Sequence, residues 1–230
     1  MPSEPTYHNN LGLSYFEKEE FDAALCSYEE AIRLENAKIK AETDRSDENL
    51  SFYHKNLGLA LYHQGEMDRA MSEYVVAIEK NPSNADNYFN KGNVHLNLEQ
   101  FPEAHKCFEW AIEREDHNAK FYHAKGLAFQ AEAEKEAREE DPDPALEAEH
   151  INDAIQFFQL SLQYCSTFIS SMFHLGLMYR RTERFHEALQ QFSRVQELLP
   201  NDKTIYIQRG LVYQDMGNHE YAIQDFRTAI

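Results

Sequence analysis

Asn10-Leu11-Gly12-Leu13-Ser14-Tyr15 and His174-Leu175-Gly176-Leu177-Met178-Tyr179 are two copies of one pattern, a glycine set into an apolar helical face. Gly58, Gly92, Gly126 and Gly210 recur in similar settings, and the remaining glycines, Gly65 and Gly217, fall seven residues after Gly58 and Gly210. The five intervals between these six glycines run 46, 34, 34, 50 and 34 residues, a 34-residue period with extra segments of 12 and 16. That period predicts repeated helix-turn-helix units, with the first helix of each pair around the glycine.

Twelve residues after each glycine, or twenty-eight in the fourth unit, stands Ala24, Ala70, Ala104, Ala154, Ala188 or Ala222. A small residue there lets a second helix cross closely. Four residues further come Tyr28, Tyr74, Phe108, Phe158, Phe192 and Phe226, on the same face of that helix and expected as core knobs. No proline has to lie inside a helix, where it would cost about 3 kcal/mol. Pro102 can open a second helix at its tolerated first turn, Pro142 and Pro144 fall in an inserted segment, and Pro2 and Pro5 stand at the start of the first unit.

Leu-Gly, Tyr, Ala, Phe and Pro at these spacings resemble the tetratricopeptide repeat family along nearly the whole chain. The resemblance implies an all-α fold, a right-handed α-solenoid superhelix of six helix pairs spanning 1–230 as one domain. The units run approximately 5–38, 51–84, 85–118, 119–168, 169–202 and 203–230 in the family's register, with Pro82 and Pro200 closing the second and fifth. Asn36, Asp116 and Ser166 replace that proline elsewhere.

Composition limits the function. Forty Asp and Glu against 22 Lys and Arg give a formal charge of −18, which repels phosphate backbones and anionic headgroups, so neither nucleic acid nor membrane is expected as a partner. Cys26, Cys107 and Cys165 are widely spaced and read as buried thiols in a reducing compartment. No apolar run approaches the roughly 18 residues of a bilayer span, and Met-Pro-Ser-Glu-Pro lacks the basic and apolar regions of a signal peptide. A cytoplasmic location is expected.

The extra segments differ. Residues 39–50 read as a lengthened second helix and then a loop through Arg45-Ser46-Asp47-Glu48-Asn49. In the fourth unit, strong helix formers on both sides of Asp141-Pro142-Asp143-Pro144 predict an arm over about 132–149, each helix longer by about eight residues or roughly 12 Å. Nine acids there against Lys135 and Arg138 give it a charge of −7. The arm reads as a solvated hairpin or as a docking site for a basic partner.

Catalytic signals are missing. His186-Glu187-Ala188-Leu189-Gln190 has glutamine where a zinc site needs its second histidine, and neither a glycine-rich phosphate loop nor a Gly-x-Ser-x-Gly elbow occurs. His8 and His54 fall where Tyr88, Tyr122 and Tyr206 recur and read as aromatic substitutes on a packing face. A non-enzyme without metal or cofactor is expected.

In the family the first helices line the inner surface of the superhelix, which directs attention to residues near each glycine. Two residues before it stand Asn10, Asn56, Asn90, Ala124, His174 and Gln208. Three asparagines facing one way form either an amide ladder able to hold a peptide backbone or a run of tolerated polar residues. Lys55, Asn90 and Lys120 also match three of the five positions of the carboxylate clamp that some co-chaperones of this family use on chaperone tails. Leu59 and Ala124 depart from it. Asn93, Phe52, Tyr62, His63, Phe89, His123, Phe173, Arg180 and Arg181 are further inward candidates. Trp110, on a second helix, either marks an outer contact or lies buried beneath the arm.

The reading is a scaffold that binds an extended protein segment through Asn10, Asn56, Asn90, Lys55, Lys120 and Asn93. The alternative is a structural component of a large assembly, self-associating through an uncapped C-terminal repeat. The closing stretch Leu211-Val212-Tyr213-Gln214-Asp215-Met216-Gly217-Asn218 resembles large protist repeat proteins, including ciliary and basal-body ones.

Overall fold

A computed structural model of the chain describes residues 4–41 and 48–230. All regular structure among the described residues is α-helical. The helices run α1 Pro5–Glu17, α2 Phe21–Ala41, α3 Glu48–His63, α4 Met67–Lys80, α5 Ala85–Asn97, α6 Phe101–Arg114, α7 Ala119–Glu136, α8 Pro144–Tyr164, α9 Ile169–Arg181, α10 Phe185–Leu198, α11 Lys203–Asp215 and α12 His219–Thr228.

Local sequence explains their ends. Asn84, Asn118, Asp143 and Asp202 cap α5, α7, α8 and α11 by accepting the otherwise unpaired amide of Asp86, Lys120, Ala145 or Thr204. Pro5, Pro102 and Pro144 sit in the first turns of α1, α6 and α8, where a missing N–H removes no helical bond. The tight turn inside a repeat needs one residue with positive φ. Gly65 and Gly217 supply it at 83° and 74°, and Glu19, Glu99 and Glu183 occupy the same position at 60°, 54° and 58°. The three glutamates carry the strain that glycine avoids.

Each helix pair is held by the predicted glycine and aromatic. A methyl group placed on Gly12, Gly58, Gly92, Gly126, Gly176 or Gly210 would lie 2.5–2.9 Å from the ring of Tyr28, Tyr74, Phe108, Phe158, Phe192 or Phe226. The alanines Ala24, Ala70, Ala104, Ala154 and Ala188 are fully buried and Ala222 nearly so.

The helices form two compact units, Met1–Asp116 with α1 to α6 and His117–Ile230 with α7 to α12. In the first, Leu25, Tyr28, Leu57, Leu61, Tyr74 and Val94 build the core. In the second, Ile151, Phe158, Met172, Leu175, Phe192 and Val212 do so. Within each unit, second helices pack on their own first helix and on the first helix of the following repeat.

The insertions depart from expectation in detail. The helical part of the first appears as the 21-residue α2, against 14 for α4; of the expected loop, Arg45–Asp47 lie outside the described residues, whereas Glu48 and Asn49 already form the first turn of α3. In the fourth repeat α7 has 18 residues against 13 in α9, and α8 has 21 against 14 in α10. The arm therefore lengthens its helices by five and seven residues, fewer than the predicted eight. Pro142 disfavours helix before it and Asp143 starts α8 as its cap, so the remainder widens the turn. Cys26 is exposed, contrary to the buried-thiol expectation, while Cys107 is buried and its thiol is pushed up to about 11 by desolvation.

Candidate protein-interaction faces

In the first unit α1 touches α3 and α3 touches α5, so three first helices lie side by side. The residue three before the glycine in one repeat meets the residue two before it in the next. Asn56 Nδ2 accordingly donates to Asn9 Oδ1 at 2.8 Å, with both side chains buried. This corrects the exposed ladder: Asn10 is exposed, Asn56 is consumed in a helix–helix contact, and Asn90 and Asn93 are half-buried. Periodicity alone could not separate solvent from neighbour, because a polar side chain suits both.

The other first-unit candidates divide. Lys55 Nζ stands 4.7 Å over the ring of the exposed Phe52 and 3.9 Å from the Asp86 carboxylate. Phe89 leans on Phe108, with centroids 6.2 Å apart. His63 instead stacks on Phe21 at 5.8 Å and meets Phe16 edge-on at 5.1 Å, beside the α1–α2 turn, and Tyr62 packs against the core. His54 Nδ1 lies 2.6 Å from Glu73 Oε2, so this aromatic substitute also has a polar partner.

In the second unit the equivalent junction is aromatic. His123 on α7 and His174 on α9 stand 5.4 Å apart, and both contact Phe158. His123 Nδ1 is 3.0 Å from Ser171 Oγ, and His174 Nδ1 is 2.9 Å from Gln130 Oε1. Desolvation and the facing His174 push His123 down to about 4, and desolvation lowers His174 too, so both rings are neutral near pH 7. They are polar aromatic wall, not cationic anchors.

Between α9 and α11 opens a cleft of about 220 Å³ lined by Ile169, Ser170, Phe173, His174, Asp202, Thr204 and Ile205. Lys120, on α7, lies with its Nζ 5.3 Å from the Phe121 ring centre. Arg180 pairs with Asp215 across α9 and α11. Arg181 has a different task from the one expected of a groove contact, donating to Glu147 Oε1 at 2.6 Å and to the Ala133 carbonyl at 3.3 Å. It fastens both helices at the root of the arm, a role with no local sequence signal. Ala124, where the chaperone clamp has a basic residue, is a buried methyl.

Charge is divided by helix. The first helices carry nine Lys and Arg against seven Asp and Glu, whereas the second helices carry nine against seventeen. The acidity of the chain therefore belongs to the second helices and connections. Trp110, on α6, is not buried: 41% of it is exposed. Among the described residues no three His, Cys, Asp or Glu side chains are grouped to hold a metal, and no helix is long and apolar enough to cross a membrane.

Sequence models described as "TPR repeat" and "Tetratricopeptide repeat" match residues 58–99 and 89–143 respectively, and a second tetratricopeptide model matches 5–38 and 204–230. The chain belongs to the tetratricopeptide repeat family. Such repeats are protein-interaction modules, and the solved structures that resemble this chain have the same solenoid fold. One is the APC/C hetero-tetramer Cut9-Hcn1, at TM-score 0.74 and 15% identity over 99% of this chain and 40% of that one. Another is PilF of Pseudomonas aeruginosa, at 0.71 and 15% identity over 96% and 88%. YrrB, a tetratricopeptide protein with an unusual peptide-binding site, gives 0.60 and 22% over 85% and 90%. No curated protein sequence matches significantly.

Proposed function

We propose that this tetratricopeptide protein is a non-catalytic adaptor whose first-helix layer holds an extended protein segment. The observation that carries the reading is the charge division. A chain of net charge −18 keeps a slight basic excess on its first helices, which also present Phe52, Phe173 and the exposed Ile207. A segment with apolar side chains and interspersed acids matches that layer and is repelled by the remaining surface. In the second unit the cleft floored by Ile169, Phe173 and Ile205 is the place for one apolar side chain. The first unit, taken by itself, offers such a segment polar contacts at Lys55, Asn90 and Asn93. The peptide-binding site of YrrB supports this mode by analogy.

The test is selection from a random-peptide library followed by titration. Peptides pairing an apolar residue with acids should be enriched, and Phe173→Ala should weaken them about tenfold, the cost of an emptied hydrophobic anchor. Lack of enrichment, or equal affinity for the variant, rejects the reading. Asn56 is unsuited as a probe because its amide is already bonded to Asn9.

A further inference from the structure

Trp110 is the chain's one tryptophan, and the repeat does not require it. The same position, six residues after the packing alanine, is Glu30, Val76, Leu160, Arg194 or Thr228 in the other repeats. The indole nevertheless has a built seat. It meets Tyr88 edge-on with centroids 5.9 Å apart, and Tyr88 is fixed in turn by its hydroxyl, which donates to the Pro82 carbonyl at 3.1 Å. The Arg114 guanidinium lies 3.9 Å over the Tyr88 ring. It donates to the carbonyls of Pro82 and Trp110, each at 2.7 Å, and to the Tyr88 hydroxyl at 3.0 Å. A side chain seated on such a platform has little freedom left to lose when a partner lands on it.

Around this seat the surface is acidic. On α6 and the turn after it, Glu103, Glu109, Glu113, Glu115 and Asp116 outnumber Lys106 and Arg114, and Glu109 and Glu113, one residue before and three after Trp110 on the helix, are exposed. Arg114 is itself engaged by two carbonyls and Tyr88, and acids outnumber basic side chains five to two along this stretch.

We propose that Trp110 anchors a second interaction surface on the second-helix side of the first unit, taking a lysine- or arginine-bearing segment of a partner protein. The partner's cation lies against the indole, the strongest aromatic for such contacts. Carboxylates at Glu109 and Glu113 add charge-assisted hydrogen bonds, and the net charge of the chain draws the segment in. Tryptophan is also the residue type most enriched among interface anchors. The proposal stands independently of the peptide-holding face.

The sole tryptophan is its own reporter. The full chain is titrated at low salt with a tryptophan-free arginine–glycine repeat peptide, following indole emission and heat of binding together. A saturable emission change is expected, absent with the glutamate–glycine counterpart. Calorimetric affinity should fall about five- to tenfold in Trp110→Ala and remain unchanged when the exposed Tyr7 is replaced, Tyr7→Ala, from the size of an exposed-to-desolvated cation–π contact. If Trp110→Ala melts early, Glu113→Gln read by emission replaces it, with a weaker affinity expected. Heat without an emission change, undiminished binding by the replaced residue, or no binding at all overturns the proposal.

Discussion

The α1–α3 and α7–α9 junctions use the same two repeat positions and reach opposite chemistries. One joins Asn56 to Asn9 by an amide hydrogen bond, and the other sets His174 against His123 among phenylalanines. The helix geometry is common to both because glycine and the aromatic knob fix it. Such a frame leaves its junction positions open to any pair of similar volume. An amide pair ignores pH over the usual range, whereas an imidazole pair does not.

The largest effect should separate the junctions by acid. His123 has a folded value of about 4, below the ordinary 6.5 of an unfolded chain, so between those values the unfolded state binds more protons. Stability from the neutral ring is full above pH 6.5 and is lost as pH falls toward 4, by up to about 3 kcal/mol. Residue-resolved hydrogen exchange should show α7 to α9 loosening over that interval while α1 to α3 hold. Equal loss in both, or none in His123's neighbourhood, breaks the contrast.

Packing substitutions should erase it instead. Gly58→Ala and Gly176→Ala push a methyl to 2.9 and 2.7 Å from Tyr74 and Phe192, and each should cost about 2 kcal/mol in denaturant melts. A marked difference between them would mean that the frames of the two units are unlike. Asn56→Ala leaves the buried Asn9 carbonyl oxygen without its donor and should cost about 1–2 kcal/mol at every pH between 4 and 8. A pH-dependent penalty would contradict the assignment of that junction as a neutral amide pair. The smallest effect is a gain. Glu99→Gly and Glu183→Gly relieve φ values of 54° and 58° and should each add about 0.5–1 kcal/mol, measured as a raised melting temperature in either unit.

How much of this was legible follows from what each residue must satisfy. Gly12, Ala24 and Tyr28 were readable because only a residue without a side chain, a small one and a ring fit one crossing, and that constraint recurs every 34 residues. Glu19 and Glu99 were not recognised as turn residues, since only Gly65 and Gly217 announce a positive φ. The position of Asn56 is legible but its burial is not, because its partner Asn9 sits a whole repeat away. Arg181 was read as a groove cation, yet Glu147 and Ala133, to which it binds, lie in an insertion whose fold had to be known first. Single-repeat constraints are visible in sequence, and those between repeats are visible only once the helices are placed.

The arm of the fourth repeat carries one further consequence. Its two helices lengthen together from the turn, so the chain leaves the stack at Ala133 and comes back opposite it, clamped there by Arg181 and by Phe129 stacked on Phe157 at 5.5 Å. Growth of the hairpin thus falls between the two helices of one repeat, beyond the point where Arg181 fastens them. Its tip is a natural grafting point, where a tag, a label or a foreign domain can be spliced while the repeats on either side keep their phase.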